Sequence, residues 1–176
     1  MALNEYNKKR DFSETPEPIG RKKKDHKKLI FVVQRHQARQ LHFDFRLEAD
    51  GVLKSWAIPK GPSMNPAEKR LAIMVEDHPL DYAGFVGEIS AGNYGAGDVE
   101  IWDHGTWEPK AKFSDIRKAL SGGLIEFTLH GKILKGEFAL VEFENSTAKN
   151  GWILVKARDK YALDEEYHAE EIPGRG

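Results

Sequence analysis

From Leu41 to Glu48 the chain alternates without a break: Leu41, Phe43, Phe45 and Leu47 fall on one side, and His42, Asp44, Arg46 and Glu48 on the other. Strict period-two alternation is the pattern of a β-strand with one buried face. Residues two apart on one face lie about 6.6 Å apart along a strand, so His42 and Asp44 can converge on a single atom between them. His36 precedes a short connection back to His42 and would face that pair if the two segments are antiparallel neighbours. Two imidazoles and one carboxylate suit a divalent cation such as Mn²⁺, Fe²⁺ or Zn²⁺, with coordination positions left open. The competing explanation is a solvated strand face whose polar residues bind nothing. Arg46, one repeat beyond Asp44, is too cationic to be a ligand but is placed to hold an anion bound to the metal, for which phosphate is the natural candidate.

A second segment, Arg70 to Pro79, places Arg70, Glu76 and His78 in one phase with Ala72 and Met74, while Leu71, Ile73 and Val75 share the other. His78 precedes Pro79, which biases it to an extended backbone at a strand end. Its imidazole could donate a proton to a leaving oxygen or hold phosphate as a cation; a structural histidine is the alternative. Gly92 to Gly97 is glycine-rich but lacks the Lys-Ser/Thr ending of a phosphate-binding loop, and is expected to be a turn. Lys60 follows a strand and could bring an ammonium to a rim, or sit in an ordinary turn. Trp56, Trp102, Trp107 and Trp152 could stack on bases or pack the core, and Tyr82 could touch substrate or pack.

Eight strands are expected to position these groups, near 29–35, 40–48, 52–58, 70–77, 97–103, 124–130, 136–143 and 151–157. Asp50-Gly51, His104-Gly105 and Asn150-Gly151 are the turn signals. One short helix is expected after Ser114 as N-cap, ending at Gly122-Gly123. Short strands with tight turns give an all-β fold, a barrel or a sandwich, and no βαβ alternation argues for a doubly wound sheet.

The chain has 176 residues and no cysteine, which excludes disulfides, thiolate metal sites and cysteine nucleophiles. No apolar run is long enough to span a bilayer, and the start MALNEYNKKRDF has no secretory core, so a cytoplasmic protein without membrane contact is expected. The net charge of −1 hides two unlike parts: residues 1–28 carry nine Lys and Arg against five Asp and Glu, and the remainder is acidic. Arg21 to Lys28 is the densest basic run, either a solvated segment or an arm for a polyanion. The expected organisation is a basic segment over 1–28, a β-domain over 29–160 and a weakly ordered acidic tail over 161–176. Size and the lack of an apolar stripe suggest a monomer.

The strings FVVQRHQARQLHFDFRLEADGVLKSWAIPKGPS, RLAIMVEDHPLDYAGF and GNYGAGDVEIWDHGTW closely resemble the 3′-phosphoesterase domain of bacterial DNA ligase D, over about residues 6–157. The resemblance implies a compact β-barrel with a groove, which with the strands, short helix and tail read above gives an eight-stranded barrel with one short helix and flexible termini. It also implies Mn²⁺-dependent trimming of DNA 3′ ends in non-homologous end joining, Zn²⁺ or Co²⁺ being other candidate ions. A terminal ribonucleotide would be removed by a phosphodiesterase step and the resulting 3′-phosphate by a monoesterase step. Matched onto this sequence, the metal ligands are His36, His42 and Asp44 and the phosphate contacts Arg46 and His78. Further implied site positions are Gln34, Lys60, Arg70, Glu76, Tyr82, Arg10, Asp11 and Glu17. Val86 and Ser90 stand where the family's usual pattern has Glu and Pro, which bears on loop shape or substrate preference. No Lys-x-Asp-Gly nucleotidyl-transfer motif is present and the chain is too short for a polymerase module. A stand-alone phosphoesterase is therefore expected, acting on DNA or DNA/RNA primer–template ends beside a separate DNA ligase, polymerase or Ku protein.

Two other classes compete at this stage. A non-haem Fe(II) oxygenase could use His42, Asp44 and His78 as a facial triad. A non-catalytic nucleic-acid-binding barrel would leave the histidines incidental.

Overall fold

The computed structural model describes residues 3–143 and 150–176. In chain order the strands are β1 (Ile30–Gln37), β2 (Leu41–Ala49), β3 (Val52–Ile58), β4 (Arg70–Pro79), β5 (Gly87–Ile89), β6 (Gly97–Pro109), β7 (Leu124–Gly131), β8 (Lys135–Glu142) and β9 (Gly151–Lys156). Neighbours run β1-β2-β3-β4-β9-β8-β7-β6, all antiparallel, and β6 pairs again with β1. That last pairing closes an eight-stranded barrel and removes the free edges of an open sheet. β5 adds three residues to β6 outside the closed ring.

The barrel interior is filled by the apolar positions of the alternating strands. Phe43, Phe45 and Leu47 of β2 are buried in one cluster with Trp56, Trp102, Phe127, Phe138 and Trp152. Phe45 and Phe127 stack at 6.2 Å between ring centroids, and Trp56 meets the edge of Trp152 at 5.9 Å. All four tryptophans are buried, so their packing role is the one the fold uses. Removing one such side chain costs about 3–5 kcal/mol.

A second apolar cluster forms on the outer face, where Leu3 and Tyr6 cover Val52, Leu53, Leu80, Tyr82, Phe85, Ile89 and Val99. Leu3 and Tyr6 flank and belong to α1 (Asn4–Lys8), a helix the sequence pattern did not signal. At five residues it is too short to be stable alone and exists by burying Tyr6. The chain then folds back: Asn7 bonds both the N–H and the carbonyl of Gly20, at 2.9 and 3.2 Å, and the Tyr6 hydroxyl donates to the Pro18 carbonyl. Residues 4–20 are thereby held across the outside of β3 and β4. At the other end, Tyr167 and Ala169 join the main core, Trp102 Nε1 donates to the Ile172 carbonyl and the Arg175 N–H to the Trp102 carbonyl.

Several local expectations are corrected. His104-Gly105 is not a turn but the middle of β6, which runs for 13 residues. Gly105 is needed there because a Cβ would collide with the His130 carbonyl of β7; its signal reports a close backbone approach rather than a reversal. The second helix, α2 (Ile116–Ser121), is capped by Asp115, whose carboxylate accepts from the Lys118 N–H at 3.2 Å, and not by Ser114. In β4 the shared phase of Arg70 and His78 is broken. The pairing to β3 shifts between Leu53 and Ser55, so that Lys54 stands opposite a bulge at Glu76 and Asp77. Such bulges re-aim the residues beyond them. Among the described residues no helix is long and apolar enough to cross a membrane.

Candidate metal and phosphate site

Outward residues of β2 share one cavity with residues of β1 and β4. His36 of β1 pairs directly with His42 of β2, their rings 4.7 Å apart, and Gln34 pairs with Asp44. Asp44 lies between the two imidazoles: Oδ2 is 3.3 Å from His36 Nδ1 and Oδ1 is 3.3 Å from His42 Nε2. One ligand atom from each of the three lies within 4.8 Å of the others.

The far nitrogens decide what the near ones can do. His36 Nε2 is 2.7 Å from the Gly95 carbonyl and His42 Nδ1 is 3.3 Å from the Gln40 carbonyl. A carbonyl can only accept, so both outer nitrogens carry the proton, as in histidine metal sites where a second partner fixes the tautomer. In the neutral rings the inner nitrogens then present lone pairs to a carboxylate, an arrangement that repels itself unless a cation sits between. Burial works to lower the His42 pKa, but its bond to Asp44 outweighs this and raises it. Burial likewise works to raise Asp44, and the two histidines and Arg46 overcome it, holding the carboxyl well below the usual range. The donor set and its outer hydrogen bonds therefore fit a divalent metal.

Arg46 adjoins Asp44. Its Nε donates to Gln34 Oε1 at 2.7 Å, and Gln34 is fixed in turn by donating to the carbonyls of Tyr82 and Phe85 at 2.7 and 3.1 Å. The guanidinium lies 4.9 Å over the Tyr82 ring, with Nη2 3.5 Å from Asp44. Nη1 is buried without a hydrogen-bond partner among the described residues. A buried donor of a charged group left unpaired is costly, and a ligand oxygen is the ordinary remedy.

His78 is buried beside this guanidinium. Its Nδ1 donates to the Glu76 carbonyl at 3.0 Å, and its Nε2 lies 3.4 Å from Arg10 Nη2, which donates to it. Burial, then the charges of Arg46 and Arg10, push the His78 pKa well below its ordinary value, so the ring is neutral. Among the described residues the ligand atoms that converge within 4.8 Å belong to His36, His42 and Asp44 and not to His78, which argues against a triad built on His42, Asp44 and His78.

The N-terminal segment closes the other side. Glu17, only 4% exposed, accepts from Arg10 Nε at 2.8 Å, Thr15 Oγ1 at 2.8 Å and the Tyr82 hydroxyl at 2.7 Å. Glu76 lies 3.1 Å from Lys9 Nζ and 3.6 Å from Arg10 Nη1. Arg10, Glu17, Glu76 and Tyr82 line a cavity of about 210 Å³ together with His36, His42 and Asp44.

Of the positions singled out in the sequence, His36, His42, Asp44, Arg46, His78, Glu76, Tyr82, Arg10 and Glu17 line this cavity, and Gln34 braces it from beneath. Lys60, Arg70 and Asp11 do not line it. Lys60 is exposed; Arg70 ties together the Lys60 carbonyl, Glu68 and the Tyr167 carbonyl; Asp11 accepts from Ser13. Tyr94 and Gly95 line the cavity and were missed as site residues. The available signal was the glycine-rich turn, where Gly95 at φ +75° aims its carbonyl at His36.

The family model for the DNA Ligase D 3′-phosphoesterase domain matches residues 34–142. The chain is 54% identical over 159 residues to the multifunctional non-homologous end joining protein LigD of Pseudomonas aeruginosa, covering 89% of this chain and 19% of that protein. It is 42% identical over 172 residues to the protein of the same description from Mycolicibacterium smegmatis, covering 94% and 22%. Against the multifunctional non-homologous end joining DNA repair protein LigD of Mycobacterium tuberculosis it is 48% identical over 140 residues, covering 79% and 18%. The chain spans about a fifth of the length of these relatives. The matched stretch carries the second half of β1, all of β2 and β4, and with them His36, His42, Asp44, Arg46 and His78, and the chain belongs to the DNA ligase D 3′-phosphoesterase domain family.

Proposed function

We propose that this protein is a divalent-metal-dependent phosphoesterase that processes DNA 3′ ends in non-homologous end joining, with Mn²⁺ as the working ion. The observation that carries the reading is the pair of inner imidazole nitrogens facing Asp44 beside the unpartnered Nη1 of Arg46. His36, His42 and Asp44 would hold the ion. When bound, the ion supplies Lewis acidity toward a phosphoryl oxygen and a route to a nucleophile at neutral pH.

The chain's own groups do the rest. Arg46, braced through Nε, presents Nη1 to a phosphoryl oxygen and neutralises charge developing there. Glu17 holds Arg10 and Tyr82 in place around the same cavity. His78 keeps an unprotonated Nε2 in the free protein, so it can take up a proton but not supply one. An incoming phosphate offsets the cationic field of Arg46 and Arg10, which lets that nitrogen charge and then protonate a leaving oxygen. Both ester types fit such a site: resection of a terminal ribonucleotide by a diesterase step, then removal of the 3′-phosphate. DNA ligase, polymerase and Ku are the functional partners this reading implies, in the bacterial cytoplasm.

The test is a primer–template ending in a 3′-phosphate or a 3′-ribonucleotide, incubated with the protein and Mn²⁺, with EDTA, and without oxygen. Conversion to a 3′-hydroxyl that needs Mn²⁺ but not oxygen is the expected result. No product from either end with any divalent metal would overturn the proposal.

A further inference from the structure

Six cations lie between Arg21 and Lys28, and the barrel holds the backbone that carries them. The Lys23 N–H donates to the Gly51 carbonyl at 3.2 Å, and the Gly51 N–H donates to Asp25 Oδ1 at 2.6 Å. Glu48, with no exposed surface, accepts from the backbone N–H of His26 at 2.6 Å and of Ile30 at 2.9 Å, and from the His26 ring. A buried carboxylate is thus used to fasten this run to the barrel.

The charges themselves are left outside. Lys23 pairs with Asp81 at 2.7 Å, but Arg21, Lys22, Lys24, Lys27 and Lys28 are exposed and none forms an ion pair among the described residues. A merely solvated charge run gains nothing from being pinned, because fixing like charges side by side adds self-repulsion that a free segment would relieve. A polyanion removes that repulsion and releases its own counterions.

Position selects the polyanion. Glu48 lies on the same face of β2 as His42, Asp44 and Arg46, four residues beyond Asp44 and therefore about 13 Å along the strand. At about 3.4 Å of rise per base pair, that separation is roughly four base pairs of duplex.

We infer that Arg21–Lys28 is a fixed duplex-gripping surface, whose cations hold the sugar–phosphate backbone of a primer–template a few base pairs from the 3′ end seated at the metal trio. This rests on the DNA-end reading of the site and adds the part of the substrate that the cavity cannot hold. The grip is independent of sequence and is read as salt dependence.

The experiment is fluorescence anisotropy of a primer–template duplex titrated with protein between 50 and 200 mM salt, without divalent metal so that turnover does not intervene. The variant carries Lys24→Glu, Lys27→Glu and Lys28→Glu. Its Kd is expected to rise at least about tenfold at 0.15 M salt, and the slope of log K against log salt to fall by about 3, close to one unit per lysine. If charge reversal disturbs folding, the Lys→Gln triple is measured instead and should show the same loss of slope. Unchanged Kd and slope in a folded variant would overturn the inference, whether or not the wild-type protein turns over a 3′-phosphate. Failure of the wild type to turn over any 3′ end would instead overturn the activity on which the inference rests.

Discussion

His36 is held between two partners, with Nε2 2.7 Å from the Gly95 carbonyl and Nδ1 facing Asp44. A glycine in a loop outside the barrel therefore sets the tautomer and aim of His36, the candidate ligand on β1. Gly95 sits at φ +75°, where a Cβ costs roughly 1 kcal/mol or more of backbone strain. Gly95→Ala is expected to shift that carbonyl and weaken Mn²⁺ binding about tenfold. Isothermal titration with Mn²⁺ is the measurement, and an unchanged affinity would show that the loop does not orient His36.

Gln34 does for Arg46 what Gly95 does for His36. Truncation by Gln34→Ala leaves Arg46 Nε and the carbonyls of Tyr82 and Phe85 without their partner. The loss of a bond to a charged group is on the order of 2 kcal/mol, or about 30-fold in turnover of a 3′-phosphate primer. Mn²⁺ affinity should stay near wild type, because the Gln34 side chain hydrogen-bonds to Arg46, Tyr82 and Phe85 rather than to the trio. Equal losses of metal binding and turnover would point to general collapse of the site.

The pH dependence of stability tests the state of His78. Burial, Arg46 and Arg10 set its folded pKa below the unfolded value near 6.5, so the unfolded chain binds the extra proton as pH falls. The stability of wild type relative to His78→Gln should therefore be full above about pH 6.5. It should decline on acidification by up to about 1.4 kcal/mol per pH unit, until the folded pKa is passed. Denaturant unfolding at a series of pH values measures it. A difference that grows on acidification would mean that His78 is charged in the free protein.

Lys156, fully buried, donates to Asp159 at 2.6 Å and to the carbonyls of Glu137 and Ala157 at 3.1 Å. Asp159→Ala strands that ammonium and should cost about 3 kcal/mol. In the wild type, burial works to raise the Asp159 pKa, but hydrogen bonds from Glu137, Lys156 and Tyr161 lower it. Its contribution is present above about pH 3.8 and is lost as pH falls through the lower folded value. Thermal unfolding of both proteins at pH 7 and pH 3 checks this; a variant as stable as wild type at pH 7 would contradict it.

The clustering of His36, His42 and Asp44 was legible because β2 obeys a single rule: Phe43, Phe45 and Leu47 are core, so His42, Asp44 and Arg46 must share the opposite face. Pairing to β1 then needed only a short connection to bring His36 alongside. What stayed hidden depends on contacts distant in sequence. Tyr6 gave no periodic signal, yet its burial against Tyr82 and His78 carries Arg10 and Glu17 to the site. The bulge opposite Lys54 has no composition of its own, so counting by twos along β4 misplaced Arg70 relative to His78. Gly105 was misread because a glycine needed for strand contact and one needed for a turn look alike in one sequence.

Anomalous diffraction at the manganese edge, from a crystal soaked in Mn²⁺ and phosphate, tests the central claim most directly. The expected result is one strong peak within about 2.0–2.3 Å of His36 Nδ1, His42 Nε2 and an Asp44 oxygen, with a phosphate oxygen on Arg46 Nη1. A map with no peak among those atoms, or with manganese bound only elsewhere on the barrel, would contradict it.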